Sequence, residues 1–121
     1  MNPRRYRKFK EVLAQRQLDL TVLSEDVHKP HNISALLRTC DAVGIFELHM
    51  VNRLGPFPLS RAIARGTDKW VLVQAHRDIQ TAIAELRSRG FGVYAAHVSE
   101  GAVDYRQIDY TQPTAILLGA E

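Results

Sequence analysis

Two short runs, Gly92–Val98 (GVYAAHV) and Thr114–Leu118 (TAILL), are largely apolar from end to end, and they constrain the fold more than any other feature of the chain. A strand with one wet face alternates polar and apolar residues. An unbroken apolar strand needs cover on both faces, which a parallel sheet flanked by helices supplies. The intervening sequence reads as the helices such a sheet requires. Asn2 and Pro3 predict a capped helix start, after which Tyr6, Phe9, Val12 and Leu13 fall on one face and Arg4, Arg7 and Lys8 on the other. Tyr6 and Phe9 share the apolar stripe and read as core anchors, with base-stacking platforms as the alternative. Leu20–Leu23 (LTVL) is a short β-favouring run. Asn32 is placed to cap a second helix with Ile33, Leu36, Leu37, Cys40 and Val43 inward, stopped by a left-handed Gly44. A strand Ile45–Val51 follows, then a loop with Gly55, Pro56 and Pro58, a helical piece Ser60–Arg65 and a strand Trp70–Val73. Asp78 caps a helix with Ile79, Ala82, Ile83 and Leu86 inward, ended by Gly90.

Strands alternating with helices of about ten residues predict an α/β domain, a mainly parallel sheet flanked by helices with right-handed crossovers. Ligands in such sheets gather at the carboxyl ends of the strands, so the segments 24–32, 52–60, 97–101 and 119–121 are candidate site loops. The 121 residues suffice for one core, read as a basic N-terminal helix over 1–18 and an α/β domain over 19–121. The last strand runs into Gly119-Ala120-Glu121 with no helix after it, which reads as the front part of a longer protein rather than a domain with a terminal strand.

The single Cys40 excludes an internal disulfide and matches no metal-ligand spacing, so no metal is expected. No apolar stretch reaches the roughly 20 residues of a membrane span, and MNPRRYRKFK lacks the apolar core of a signal peptide. A cytoplasmic location is expected. Residues 1–16 hold six basic groups (Arg4, Arg5, Arg7, Lys8, Lys10, Arg16) against one acid, net +5, while the other 105 residues are net −2. A positive block on a near-neutral body suits a polyanion, since each phosphate neutralised releases counterions; a solvated terminal helix is the alternative.

Several separated motifs then resemble one family. HNISALLRTCDAVG (31–44), with Asn32 and Arg38 six residues apart in a helix ending in Gly, resembles the first signature of the SpoU class of RNA ribose 2′-O-methyltransferases. LLGAE (117–121) resembles the start of the second. NPRRY at the start, VHKPHN (27–32) and VDYRQIDYTQPT (103–114) bring the resemblance closest to the branch acting on tRNA. The resemblance implies an S-adenosylmethionine-dependent enzyme of SPOUT type, methylating the ribose 2′-hydroxyl of guanosine 18 in the D-loop of tRNA. It implies a homodimer with a C-terminal knot, and a third signature, with Ser and Asn, that would lie after Glu121. On this reading the chain is the N-terminal part, truncated before the knot.

The same resemblance assigns roles. Arg38 is expected near the ends of the central strands. It either activates the 2′-hydroxyl or, since a guanidinium rarely gives up its proton, fixes a phosphate and stabilises charge on the oxygen. Round the helix it points away from the apolar stripe, and in the resembled family the Arg of one subunit can serve the cofactor of the other. Asn32 would bond Glu121 of the second signature. Ala96, His97 and Gly119 would contribute to the cofactor site. Arg65, with Phe57 and Pro58, is a weaker candidate for the RNA side. His31 and His97 read as loop or packing residues rather than acid–base groups. A non-catalytic tRNA-binding module is the alternative function; a dinucleotide-binding enzyme is set aside, because no Gly-rich turn follows the first strand.

Overall fold

The structure, a computed structural model, describes residues 2–53 and 70–119. Its elements run α1 (Pro3–Ala14), β1 (Leu20–Glu25), α2 (Pro30–Val43), β2 (Glu47–Val51), β3 (Leu72–His76), α3 (Ile79–Ser88), β4 (Gly92–Ala95), one 3₁₀ turn (Tyr105–Gln107) and β5 (Thr114–Gly119). The five strands form one sheet in the order β3-β2-β1-β5-β4, and every pairing is parallel. This is the α/β architecture the apolar runs require.

Alternation along the strands sorts the core into two layers. Val22, Leu48 and Met50 pack with Ile33, Leu37 and Cys40 of α2. Their sequence neighbours Leu23 and Val51, with Ala115, pack with Ala82 and Leu86 of α3. The two helices therefore cover opposite faces. Burial pushes the Cys40 thiol up to about 11, which keeps it protonated and inert.

The helix signals at 2–3, 44 and 78 act as read. Asn2 accepts a hydrogen bond from the backbone N–H of Arg5 and Asp78 accepts from Thr81, while Gly44 closes α2 at φ 85°. Other expectations are corrected. Helix α2 starts two residues before Asn32, with Lys29 as its N-cap, because Pro30 fixes a helical φ at the first turn and holds Lys29 extended. Val43 is exposed at the end of that helix. Helix α1 has no buried residue, and Tyr6 and Leu13 are more than half exposed, so they are not core anchors. Its apolar stripe records a preference for cover without saying what supplies it. Phe9 alone meets an aromatic partner, Trp70, edge to face at 5.0 Å. That contact replaces the strand expected from Trp70, since β3 begins at Leu72. Strand β2 begins at Glu47 rather than Ile45, which instead bridges to Gln17. Strand β4 ends at Ala95, and Val98, expected within it, is 96% exposed. The helical piece expected at 60–65 lies outside the described residues.

Gly44 joins α1, α2 and β2 at one point. Its carbonyl accepts from the Gln17 N–H at 2.7 Å, and a Cβ built on it would stand 2.9 Å from the Gln15 carbonyl oxygen. Gly44→Ala must therefore bear both a left-handed backbone and a clash, and a loss of about 1–3 kcal/mol is expected in urea unfolding. An unchanged midpoint would contradict this account of the junction.

Candidate functional site

Strand β1 ends at the centre of the carboxyl edge of the sheet, and its loop is held by one acid. Asp26 is buried with a left-handed backbone, φ 59°. Its N–H donates to the Val51 carbonyl at 2.8 Å. Its carboxylate accepts from the backbone N–H of Arg53 at 2.7 Å, from Nε at 2.9 Å and from Nη2 at 2.6 Å. The Arg53 hydrogen bonds outweigh burial and hold the Asp26 carboxyl below its ordinary value. The loops that leave β1 and β2 are thus clamped together. Sequence reasoning missed this pair, and the only signal was an Asp, tolerant of positive φ, directly after a strand.

Helix α2 starts from this clamped loop and runs back along the sheet. Asn32, near its start, and Arg38 are both exposed. Neither side chain has a hydrogen bond or ion pair among the described residues. The exposed positions His31, Ala35, Arg38 and Ala42 follow helical spacing, so Arg38 stands on the outer face between two small side chains. It lies eight residues into the helix from Pro30, about 12 Å along the axis from the strand ends at a rise of 1.5 Å per residue. The helix axis carries the Arg38 backbone away from those ends, and Arg38 stands on the exposed face of α2. Glu121, its partner Asn32's expected contact, lies outside the described residues, as do Arg65, Phe57 and Pro58.

The other candidates gather at the opposite end of the same carboxyl edge. The N–H of Ala96 donates to the Leu117 carbonyl at 2.9 Å, extending the β4–β5 pairing, and Gly119 pairs with Glu25 two residues further along β5. Ala96, His97 and Gly119 are thereby brought together, exposed. Tyr94 and Ile116 alternate with residues of the α3 layer, so they point to the α2 side of the sheet, where the segment after β4 returns across them. A groove of about 460 Å³ opens between, walled by Tyr94, Tyr105, Tyr110, Ile108 and Val103 and reached by Ala96 and His97. Its aromatic and aliphatic walls suit a purine or another flat apolar group.

The basic block divides in two. Arg4, Arg5, Arg7, Lys8 and Lys10 are exposed along α1, and the first four line a depression of about 600 Å³ with Phe9 and Trp70. Arg16 is placed differently. Its Nη1 donates to the Asp41 carbonyl at 2.9 Å, its Nη2 pairs with the Asp41 carboxylate, and its side chain is 6% exposed. That guanidinium fastens α1 to α2 and is not available to a phosphate. No helix among the described residues is long and apolar enough to cross a membrane.

The model of the SpoU rRNA Methylase family matches residues 19–121. Over 117 residues the chain is 54% identical to the tRNA (guanosine(18)-2′-O)-methyltransferase of Thermus thermophilus, covering 97% of this chain and 60% of that protein. It is 50% identical over 121 residues to the protein of the same name from Escherichia coli, covering all of this chain and 53% of the relative. The crystal structure of the TrmH/SpoU tRNA modifying enzyme from A. aeolicus superposes with a TM-score of 0.87 at 36% identity, over 98% of this chain and 60% of that one. An AdoMet-bound rRNA methyltransferase from Sinorhizobium meliloti superposes with a TM-score of 0.69 at 27% identity, over 88% of this chain and 42% of that one. The chain thus spans between half and two thirds of the length of its two tRNA-methyltransferase relatives.

The Asp26 clamp has a pH signature. A carboxyl held low in the folded state stabilises the fold above its unfolded value, about 3.9, and that contribution is lost as the pH falls through the folded value. Asp26→Asn keeps the shape and the tolerance for positive φ but removes the charge. A lower urea midpoint at neutral pH is expected, with a shallower acid decline than in the parent. Parallel curves for the two proteins would sink the clamp.

Proposed function

The chain belongs to the SpoU rRNA Methylase family, and on that premise we propose that it is the N-terminal part of a tRNA 2′-O-methyltransferase that uses S-adenosylmethionine to methylate guanosine 18 in the D-loop. The tRNA substrate is supported by 54% and 50% identity across nearly the whole chain to proteins named for that reaction. The geometric observation that carries the reading is the unpartnered guanidinium of Arg38, exposed on the outer face of α2. A surface Arg with no ion-pair partner among the described residues is ready for an external anion, and a fork of donors matches a phosphate.

S-adenosylmethionine, when bound, supplies a methyl group on a sulfonium. Ala96, His97 and Gly119 would hold its near side, with the aromatic groove beside them accepting the apolar part of the molecule. Arg38 has three tasks: to bind an RNA phosphate, to orient the 2′-hydroxyl, and to stabilise negative charge on the oxygen as its proton passes to water. A guanidinium keeps its own proton at neutral pH, so the electrostatic role is favoured over that of a base. Because one chain separates Arg38 from Ala96, His97 and Gly119, the reading requires a homodimer in which Arg38 of one copy reaches the cofactor groove of the other. Asn32 would support the second-signature residue Glu121. Arg4, Arg5, Arg7, Lys8 and Lys10 would hold the tRNA backbone without reading bases, with Arg65 as a further phosphate contact. A tRNA-modifying role places the protein in the cytoplasm.

Transfer of labelled methyl from S-adenosylmethionine to tRNA tests the reading. In the full-length protein, incorporation into guanosine 18 is expected, and Arg38→Ala should lower it by about 100-fold or more, the scale for losing a charge-stabilising donor. Tight tRNA binding with no incorporation would instead support a non-catalytic binding module. Separately, five phosphate-facing cations predict that log affinity falls with log salt at a slope of about −4. A salt-insensitive complex would remove α1 from the RNA face.

A further inference from the structure

On the sheet face covered by α3, away from every residue assigned above, two histidines lie side by side. His49 of β2 is fully buried, and the His76 side chain at the end of β3 is 7% exposed. Their rings meet edge to edge, 24° from coplanar with centroids 5.1 Å apart, and His49 Nδ1 is 2.8 Å from His76 Nε2. A carboxylate stands on the outer side of each ring. Glu47 Oε2 is 3.0 Å from His49 Nε2, and Glu85 Oε2 is 3.3 Å from His76 Nδ1. Arg89 Nη1 donates to Glu47 Oε2 at 2.9 Å. Glu85 and Arg89 are one turn apart on and just after α3, so the row Glu47–His49–His76–Glu85 ties β2, β3 and α3 together.

Counting protons fixes the state of this row. A carboxylate only accepts, so His49 Nε2 needs a proton to bond to Glu47, while the Glu85–His76 contact, at 3.3 Å, requires no proton of its own. The two inner nitrogens at 2.8 Å need one proton between them. With none, two lone pairs oppose each other; with two, N–H faces N–H and His49, protonated on both nitrogens, is a cation in a buried layer. We propose that the row Glu47–His49–His76–Glu85 is a proton-controlled latch that fastens α3 and edge strand β3 to the centre of the sheet, closed by a single proton between the rings and opened by a second.

The surroundings disfavour that cation. Burial disfavours the charged form of His49, and although Glu47 opposes this, the net shift is downward. Burial also raises the Glu47 carboxyl, but hydrogen bonds from Arg89 and His49 overcome it, so Glu47 stays ionised as the acceptor. The groups facing the two rings are Glu47 from β2 and Glu85 and Arg89 from the α3 side. Strand β1 adds only the uncharged Thr21, whose hydroxyl donates to the Glu47 carbonyl at 2.7 Å. A histidine held low when folded takes up fewer protons than the unfolded chain, so stability is complete above the ordinary value near 6.5 and falls as the pH drops below it.

The test uses amide hydrogen exchange and urea unfolding of the chain, with nitrogen-15 spectra of the imidazoles. At about pH 7.5 His49 should be neutral with its proton on Nε2, and between about pH 7.5 and 5.5 the protection of the α3 amides should fall by about tenfold or more, while β1 and β5 keep theirs. His49→Gln should flatten the dependence of the urea midpoint on pH over that range. A His49 proton on Nδ1, or α3 protection that does not change, would overturn the latch. So would a His49→Gln variant as pH-sensitive as the parent. Because the tautomer is read on the parent protein, a variant that fails to fold still leaves the proposal open to refutation.

Discussion

Everything in this molecule hangs on β1 being hydrogen-bonded on both edges by parallel neighbours, β2 on one side and β5 on the other. A parallel pair cannot be closed by a tight turn, so each neighbour must be reached by a crossover that passes over a face of the sheet. Helix α2 makes the crossover from β1 to β2, α3 carries the chain from β3 to β4, the segment after β4 leads to β5, and the alternation Val22, Leu23 sends one side chain into each helical layer. The arrangement also fixes where chemistry can occur. All strands end at the same edge, so the segments leaving β1, β2 and β4 begin there, while α2 starts there and runs back along the sheet.

That geometry explains why the functional reading passes through two copies. The groove beside Ala96 and His97 and the pairing partner of Gly119 lie at one part of the carboxyl edge, whereas Arg38 stands on the outer surface of a helix receding from it. The small residues Ala35 and Ala42 on either side of Arg38 leave room for a neighbouring surface to approach.

Elements whose signals are local were legible in the sequence. Asn2, Gly44 and Asp78 act where they stand, because a cap or a left-handed stop depends on three or four neighbouring residues. Asn32 failed as a cap because a second local signal, Pro30, started the helix first. The boundaries of β2, β3 and β4 were misjudged because strand length is set by the partner: Ala96 makes the last bond that β5 offers, and the apolar residues beyond it are left in solvent. Tyr6 and Leu13 show the limit of an amphipathic pattern, which marks a face without naming its cover. The side-chain pairs that shape the interior were invisible. Asp26 with Arg53 and His49 with His76 are each 27 residues apart, and they meet only because β1, β2 and β3 adopt one register. The site roles of Asn32 and Arg38 came from the family resemblance alone, since neither has a hydrogen-bond or ion-pair partner among the described residues.

The sharpest measurement is complementation between two inactive forms in the methyl-transfer assay. Gly119 has open space where a Cβ would be, so Gly119→Trp should fold and block the groove while leaving Arg38 intact; Arg38→Ala does the reverse. If Arg38 acts across a dimer, each variant alone is inactive and their mixture recovers activity after subunit exchange. A mixture that stays inactive while forming mixed dimers would contradict the account.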